Sequence, residues 1–156
     1  MTRSRVVFSA LLLAVATANA DAKPAGKAVG VDRVAEIVTG SNIGDLAIGQ
    51  GVFVGDKIAT SANGQVQIEF RDRTRLVIGP NSELIIRKYV AAGQSRAKSF
   101  AVRAVAGAFR FISGKSAKPS YVITTSTGTI GVRGTRFDFG VRGQGRTYVI
   151  LFNGAV

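Results

Sequence analysis

No histidine, no cysteine and no tryptophan occur in this chain, and acids are scarce beside bases, nine against twenty-one, for a formal net charge of +12. Each absence removes a class of function. Without imidazole or thiol there is no Ser–His or Cys–His nucleophile pair, no imidazole general base and no ordinary zinc or transition-metal ligand set. Without cysteine the fold cannot be stapled by disulfides, so it must bury a hydrophobic core. Long apolar runs are also missing, with one exception at the N-terminus.

That exception is residues 6–15 (VVFSALLLAV), preceded by Arg3 and Arg5 and followed by ATANA, with small residues at Ala18 and Ala20. A basic start, a short apolar stretch and an A-x-A site describe a secretory signal peptide. The run is about half of the roughly 20 residues a spanning helix needs. Cleavage is expected between Ala20 and Asp21, with Ala22 as a second small-residue site. Residues 1–20 are therefore read as a leader, 21–30 (DAKPAGKAVG) as a flexible lead-in and 31–156 as one domain. The expected product is exported, periplasmic or secreted, with no transmembrane span in the mature chain. Loss of the two leader arginines leaves the mature charge at about +10. Such a charge either serves solubility or draws polyanions. Outside the inner membrane the candidates are an envelope protein, an anionic glycan or a lipid head group.

From Val31 onward the pattern is β throughout. Residues 65–70 (QVQIEF) alternate Val66, Ile68 and Phe70 with polar neighbours, and Asn63-Gly64 before them is a tight-turn pair. Short β-like runs recur about every 8 to 12 residues: TRLVIG, ELIIRKYV, AFRFIS, YVITTST, TIGVRG, TRFDFGV and TYVILFNG. Only residues 95–109 admit a competing helix, and the β-branched Val102 and Val105 with Gly107 favour strand. The fold class is all-β, a single domain that is β-solenoid-like or sandwich-like.

Motifs for chemistry are few. Gly114-Lys115-Ser116 lacks the first glycine of a phosphate loop, whose place is taken by Phe109. Gly143-Gln144-Gly145 has no third glycine and leads into a strand, so it reads as a hairpin turn. Asp56, Glu69, Asp72 and Glu83 are the most closely grouped acids, but Glu69 falls on a polar strand face and Asp72 in a turn, where solvated acids are expected. No catalytic, metal or cofactor residue is assigned. Phe109/Phe111 and Phe137/Phe139 are each two residues apart and share a face, which makes them core pairs rather than a platform for stacking bases, and no nucleic-acid partner is expected. Arg71, Arg73 and Arg136 are candidate partner-binding residues.

The order of motifs resembles the FecR-domain family of the bacterial envelope. Residues 51–60 (GVFVGDKIAT) are similar to its Gly-Asp-x-Ile-x-Thr element through Gly55, Asp56, Ile58 and Thr60. Residues 64–86 are similar to its strand, Asp turn, strand and Pro-x-Ser sequence. Ile130, Val132, Arg133, Gly134, Thr135 and Phe137 match its Ile-x-Val-Arg-Gly-Thr-x-Phe signature. The resemblance implies a non-enzymatic all-β module, with signature residues that are mainly structural. In the namesake regulators the domain helps relay receptor occupancy to a sigma factor. Here a leader stands where those proteins carry a cytoplasmic segment and a membrane helix, which implies a stand-alone exported protein or one that signals through a separate membrane partner. For Arg133 the expected role is to tie down its corner through carbonyls.

Overall fold

The computed structural model describes residues 23–133 and 136–156, so the leader, Ala20, Asp21, Gly134 and Thr135 lie outside the described residues. The strands are β1 (Gly26–Asp32), β2 (Ala35–Thr39), β3 (Asn42–Asp45), β4 (Gly51–Val52), β5 (Lys57–Thr60), β6 (Gln65–Phe70), β7 (Arg75–Ile78), β8 (Glu83–Ala91), β9 (Ala97–Ile112), β10 (Tyr121–Thr124), β11 (Thr129–Gly131), β12 (Arg136–Val141) and β13 (Thr147–Asn153). The only helical pieces among the described residues are single 3-10 turns at Lys118–Ser120 and Gly143–Gly145, and the latter joins β12 to β13 as the glycine pair predicts.

The ladders form two faces of one curled sheet. Sheet I runs β4-β1-β6-β7-β9-β12-β13. Sheet II runs β3-β2-β5-β8-β9-β10-β11. Every pair is antiparallel except β9 with β10. All-β is thus borne out, and the antiparallel registers give a sandwich-like arrangement, since a solenoid would stack its coils in parallel.

β9 belongs to both sheets. Residues 97–106 pair with β8, and residues 107–112 pair with β12. The strand turns from one sheet to the other at Gly107, whose φ of +102° is closed to most side chains. Ser82, from the Pro80-Asn81-Ser82 turn, fills the space where a side chain would stand. Its Oγ accepts from the Ala108 N–H at 3.0 Å. Thr60 holds the same turn: its hydroxyl donates to the Gly79 carbonyl at 2.6 Å and accepts from the Ser82 N–H at 3.0 Å.

Alternation puts one side of most strands into a single core, while β3 and β13 bury no residue. Val66, Ile68 and Phe70 of β6 are buried, as are Phe109, Phe111, Phe137 and Phe139. Aromatic rings cross between the sheets: Phe70 meets Phe100 edge-on at 4.7 Å, and Phe111 meets Tyr121 at 5.3 Å. A fully buried Phe contributes up to about 3 kcal/mol of transfer free energy, so this cluster is the main stabilising element of a chain without disulfides.

One expectation is corrected. Residues 21–30 read as a flexible lead-in, yet residues 26–30 form most of β1, hydrogen-bonded to β6 on one side and β4 on the other. The cause is close packing rather than polarity. Ala25 and Ala28 are buried, and a Cβ at Gly26 would fall 2.7 Å from the Glu69 carbonyl oxygen. Small residues look like a linker in sequence, but here they let two backbones approach.

Among the described residues Tyr89 is the one poorly accommodated polar group of this core. Its ring stacks on Phe70, while its hydroxyl is buried without a hydrogen-bond partner among the described residues. Burial, with the Asp72 charge adding to it, pushes the phenol up to about 12. Removing the orphan hydroxyl, Tyr89→Phe, is expected to raise stability by about 1 kcal/mol in urea unfolding. The sign with pH follows from the raised folded value. The stability conferred by the protonated phenol is complete below its unfolded value of 10.0 and is lost as pH rises toward about 12, and the Phe variant should lose less over that window. A Tyr89→Phe variant that is less stable than the parent at pH 7 contradicts this account.

Candidate binding face

The turn between β6 and β7 presents Arg71 and Arg73, and it is built on Asp72. Arg73 adopts a positive φ of 68°, and its N–H bonds the Phe70 carbonyl at 2.9 Å, closing a tight turn. The Asp72 side chain points inward and is fully buried. It accepts from Ser116 Oγ at 2.6 Å, Tyr121 Oη at 2.8 Å, Thr74 Oγ1 at 2.9 Å and the Thr74 N–H at 3.1 Å. Burial pushes the Tyr121 phenol up, and its donation to Asp72 adds to the shift. The expectation of a solvated Asp72 is therefore corrected. The missed signal was Asp72-x-Thr74, an Asx-turn spacing that returns the carboxyl to its own backbone.

Asp56 is likewise buried alone. It accepts from Thr39 Oγ1 at 2.7 Å and from the Phe53 N–H at 2.8 Å, just after Gly55 at φ +100°. Glu69 pairs with Arg73 at 2.7 Å and Arg75 at 3.3 Å, and Glu83 lies 3.7 Å from Lys57. The Arg73 guanidinium holds the Glu69 carboxyl below its usual range against the opposing effect of burial, and Arg75 adds to the lowering. Each acid of the sequence group thus has its own partners, and no cluster of three or more potential metal ligands occurs among the described residues.

Lys27, Arg75, Arg110 and Arg136 stand on the outward face of sheet I, whereas Lys57, Arg87, Lys88, Lys98 and Arg103 belong to strands of sheet II. One rung across the ladders reads Lys27, Glu69, Arg75, Ile112, Arg136, Asn153. The next reads Gln67, Val77, Arg110, Asp138, Ile150. Arg110 and Asp138 form a two-pronged pair at 2.7 and 2.8 Å. Lys27, Glu69, Arg71 and Arg73 line a shallow groove of about 420 Å³ at one side of this face. Arg136 is not in that groove. It stands three ladder steps from Glu69, roughly 14 Å away at ordinary strand spacing. Its guanidinium lies over the Phe152 ring at 5.0 Å, and Arg110 lies over the same ring at 5.4 Å. Arg71 and Arg73 are thus brought together, while Arg136 joins Arg75 across Ile112.

The signature residues fall near the end of the chain. Ile130, Val132 and Phe137 are buried. Arg133 is exposed, and its backbone N–H donates to the Ala155 carbonyl at 2.9 Å. Its guanidinium has no hydrogen-bond partner among the described residues. Charge is unevenly divided along the chain. Residues 57–156 hold sixteen Lys and Arg against four Asp and Glu, while residues 23–56 hold three against four.

Fold and face together define an all-β domain with a row of cations on an open sheet surface rather than in an enclosed cleft. The family described as FecR protein matches residues 56–156, well over half of the chain, and the chain belongs to that family. No curated protein and no solved structure gives a significant match. The matched span begins at the buried Asp56 and takes in every strand from β5 onward. No helix among the described residues is long and apolar enough to cross a membrane.

Proposed function

We propose that this FecR-family chain is an exported, non-enzymatic binding module of the cell envelope that recognises an anionic component through the outward face of sheet I. The observation that carries this reading is the rung holding Lys27, Arg75 and Arg136, flanked by Arg71 and Arg73. The acids support it by their separation: Asp56 and Asp72 are each buried with a full set of donors, so they are poorly placed to share a substrate. Long-range attraction of a polyanion to such a face is screened by salt.

Heparin serves as a defined polyanionic probe. Its affinity is expected to fall at least tenfold between about 50 and about 300 mM NaCl. The triple variant Lys27→Gln, Arg71→Gln, Arg136→Gln should weaken it at least fivefold at low salt, with little change in melting temperature. Binding that ignores both salt and the three substitutions removes this face from consideration. Family membership favours one further reading, in which the module takes part in cell-surface signalling through a separate membrane partner. Unchanged transcription of sigma-factor-dependent genes in a strain lacking the chain would dismiss it.

A further inference from the structure

We infer that the groove of about 420 Å³ between β1, the β6–β7 turn and the tip of the β8–β9 hairpin takes one sugar unit bearing a single anionic group, a uronate or a sugar phosphate. The inference rests on the anion-binding reading above and names the ligand for one end of that face.

Three segments far apart in sequence build the walls. Pro24 and Lys27 stand on one side, Arg71 and Arg73 on the turn, and Gln94 and Ser95 on the hairpin tip. The first two segments are joined by the β1–β6 ladder and by the Arg71 N–H, which donates to the Ala25 carbonyl at 3.0 Å. The tip is closed by the Ala92 N–H donating to the Arg96 carbonyl at 2.8 Å, and the next residue, Ala97, is tied to Ser116 Oγ. Walls fixed in this way keep the ordering cost of binding low.

The cations of the groove are not equivalent. Arg73 is engaged by Glu69 at 2.7 Å, and Arg75 holds the other oxygen of the same carboxylate at 3.3 Å. Glu69 is the single acid of the lining, so it does not neutralise the remaining cations. Among the described residues the side chains of Lys27 and Arg71 have no hydrogen-bond or ion-pair partner, although Arg71 is half-buried. A guanidinium has five donors in a planar fork that fits a carboxylate or a phosphate with two parallel bonds.

The rest of the lining selects what carries the anion. Gln94 offers two donors and an acceptor and Ser95 a hydroxyl, and neither side chain bonds to another group among the described residues. Sugar hydroxyls both donate and accept, so they can use the amide at either end, whereas an inorganic anion chiefly accepts. The Pro24 ring supplies an apolar surface for the C–H face of a sugar ring. Small-molecule sites run from about 300 to about 1,000 Å³, so this groove suits one unit rather than a run of them. Being open on its outer side, it lets a longer chain continue across the rung toward Arg136.

Amide NMR titration of the purified chain with glucuronate at low salt should saturate with a Kd of about 1 mM, with shifts at Lys27, Arg71 and Gln94. Glucose 6-phosphate should behave alike, while glucose and inorganic phosphate, each with half of the chemistry, should bind at least tenfold more weakly. Arg71→Gln should weaken glucuronate at least tenfold, and Arg136→Gln less than twofold. Gln94→Ala, at an exposed tip where folding is not at stake, should weaken glucuronate at least threefold and leave phosphate unchanged. No saturable shift, or variants at Arg71 and Gln94 that keep full affinity, overturns the inference. So does inorganic phosphate binding as tightly as glucose 6-phosphate, which means that the groove reads charge alone. N-acetylglutamate binding as tightly as glucuronate overturns it in favour of an acidic peptide. Salt-sensitive heparin binding without a monosaccharide site strikes this inference alone. Glucuronate binding beside heparin binding that ignores salt strikes the wider face and leaves the groove.

Discussion

Replacing Asp72 with alanine should destabilise the protein by about 3–5 kcal/mol, although the residue sits in a surface turn between two arginines. The carboxyl is the common acceptor for Ser116, Tyr121 and Thr74, and all three donors are buried. Each intramolecular hydrogen bond is worth about 1 kcal/mol net, but a buried donor left without an acceptor costs about 1–3 kcal/mol. Some of these hydroxyls can rotate toward one another, which keeps the total below the simple sum. The same cluster also gathers backbone groups: Ser116 Oγ accepts from the Ala97 N–H at 2.6 Å, and Thr74 Oγ1 accepts from the Gly114 N–H at 3.1 Å. Asp72 therefore holds the start of β9, the loop after its end and the β6–β7 turn in one place. Asp72→Asn keeps one acceptor and should lose about half as much. Urea unfolding with an unchanged m-value is the measurement. An alanine variant within 1 kcal/mol of the parent would mean that the hydroxyls find other partners and the network is dispensable.

Gly107→Ala is the second large effect, expected at about 3–4 kcal/mol. Two causes combine. At φ +102° an L side chain costs of order 1–3 kcal/mol in backbone strain alone. The added Cβ would also fall 2.0 Å from Ser82 Oγ and 2.5 Å from Ser82 Cα. Ser82 must retreat, and its hydrogen bonds to Ala108 and to Thr60 go with it. The side-chain part can be separated. With Ser82→Gly in the background the clashes with Oγ and Cβ are gone, while the 2.5 Å approach to the Cα and the backbone strain are kept, so Gly107→Ala should then cost less, by about 1 kcal/mol. A full-size effect in that background would assign the whole cost to the backbone.

These two sites show how far the sequence could be read. Strand content was legible wherever alternation is local: QVQIEF, ELIIRKYV and RFDFGV became β6, β8 and β12, with Phe137 and Phe139 inward. Favouring strand over helix for residues 95–109 was likewise sound. What alternation cannot carry is non-local. Nothing in residues 97–112 announces that one strand serves two sheets, because Gly107 reads equally well as the end of a strand. Asp72, flanked by Arg71 and Arg73, has the composition of a solvated turn, and its burial depends on Ser116 and Tyr121, more than forty positions away. β1 was hidden for the opposite reason: alanine and glycine give no periodic signal, yet they are what a close strand approach requires. For the face itself, the arginines were visible one by one. Their sharing of a rung depends on β7, β9 and β12 lying side by side, which only the ladder registers reveal.

The long strand β9 has a thermodynamic consequence. Since its two halves complete different sheets, neither sheet can come apart while the other remains whole, and the molecule should melt in a single transition. Any partner that binds the folded form then stabilises the entire domain by mass action, whichever surface it touches. Occupancy of the arginine rungs on sheet I would accordingly slow amide exchange in β2 and β5 on the opposite sheet, without contact between the partner and those strands.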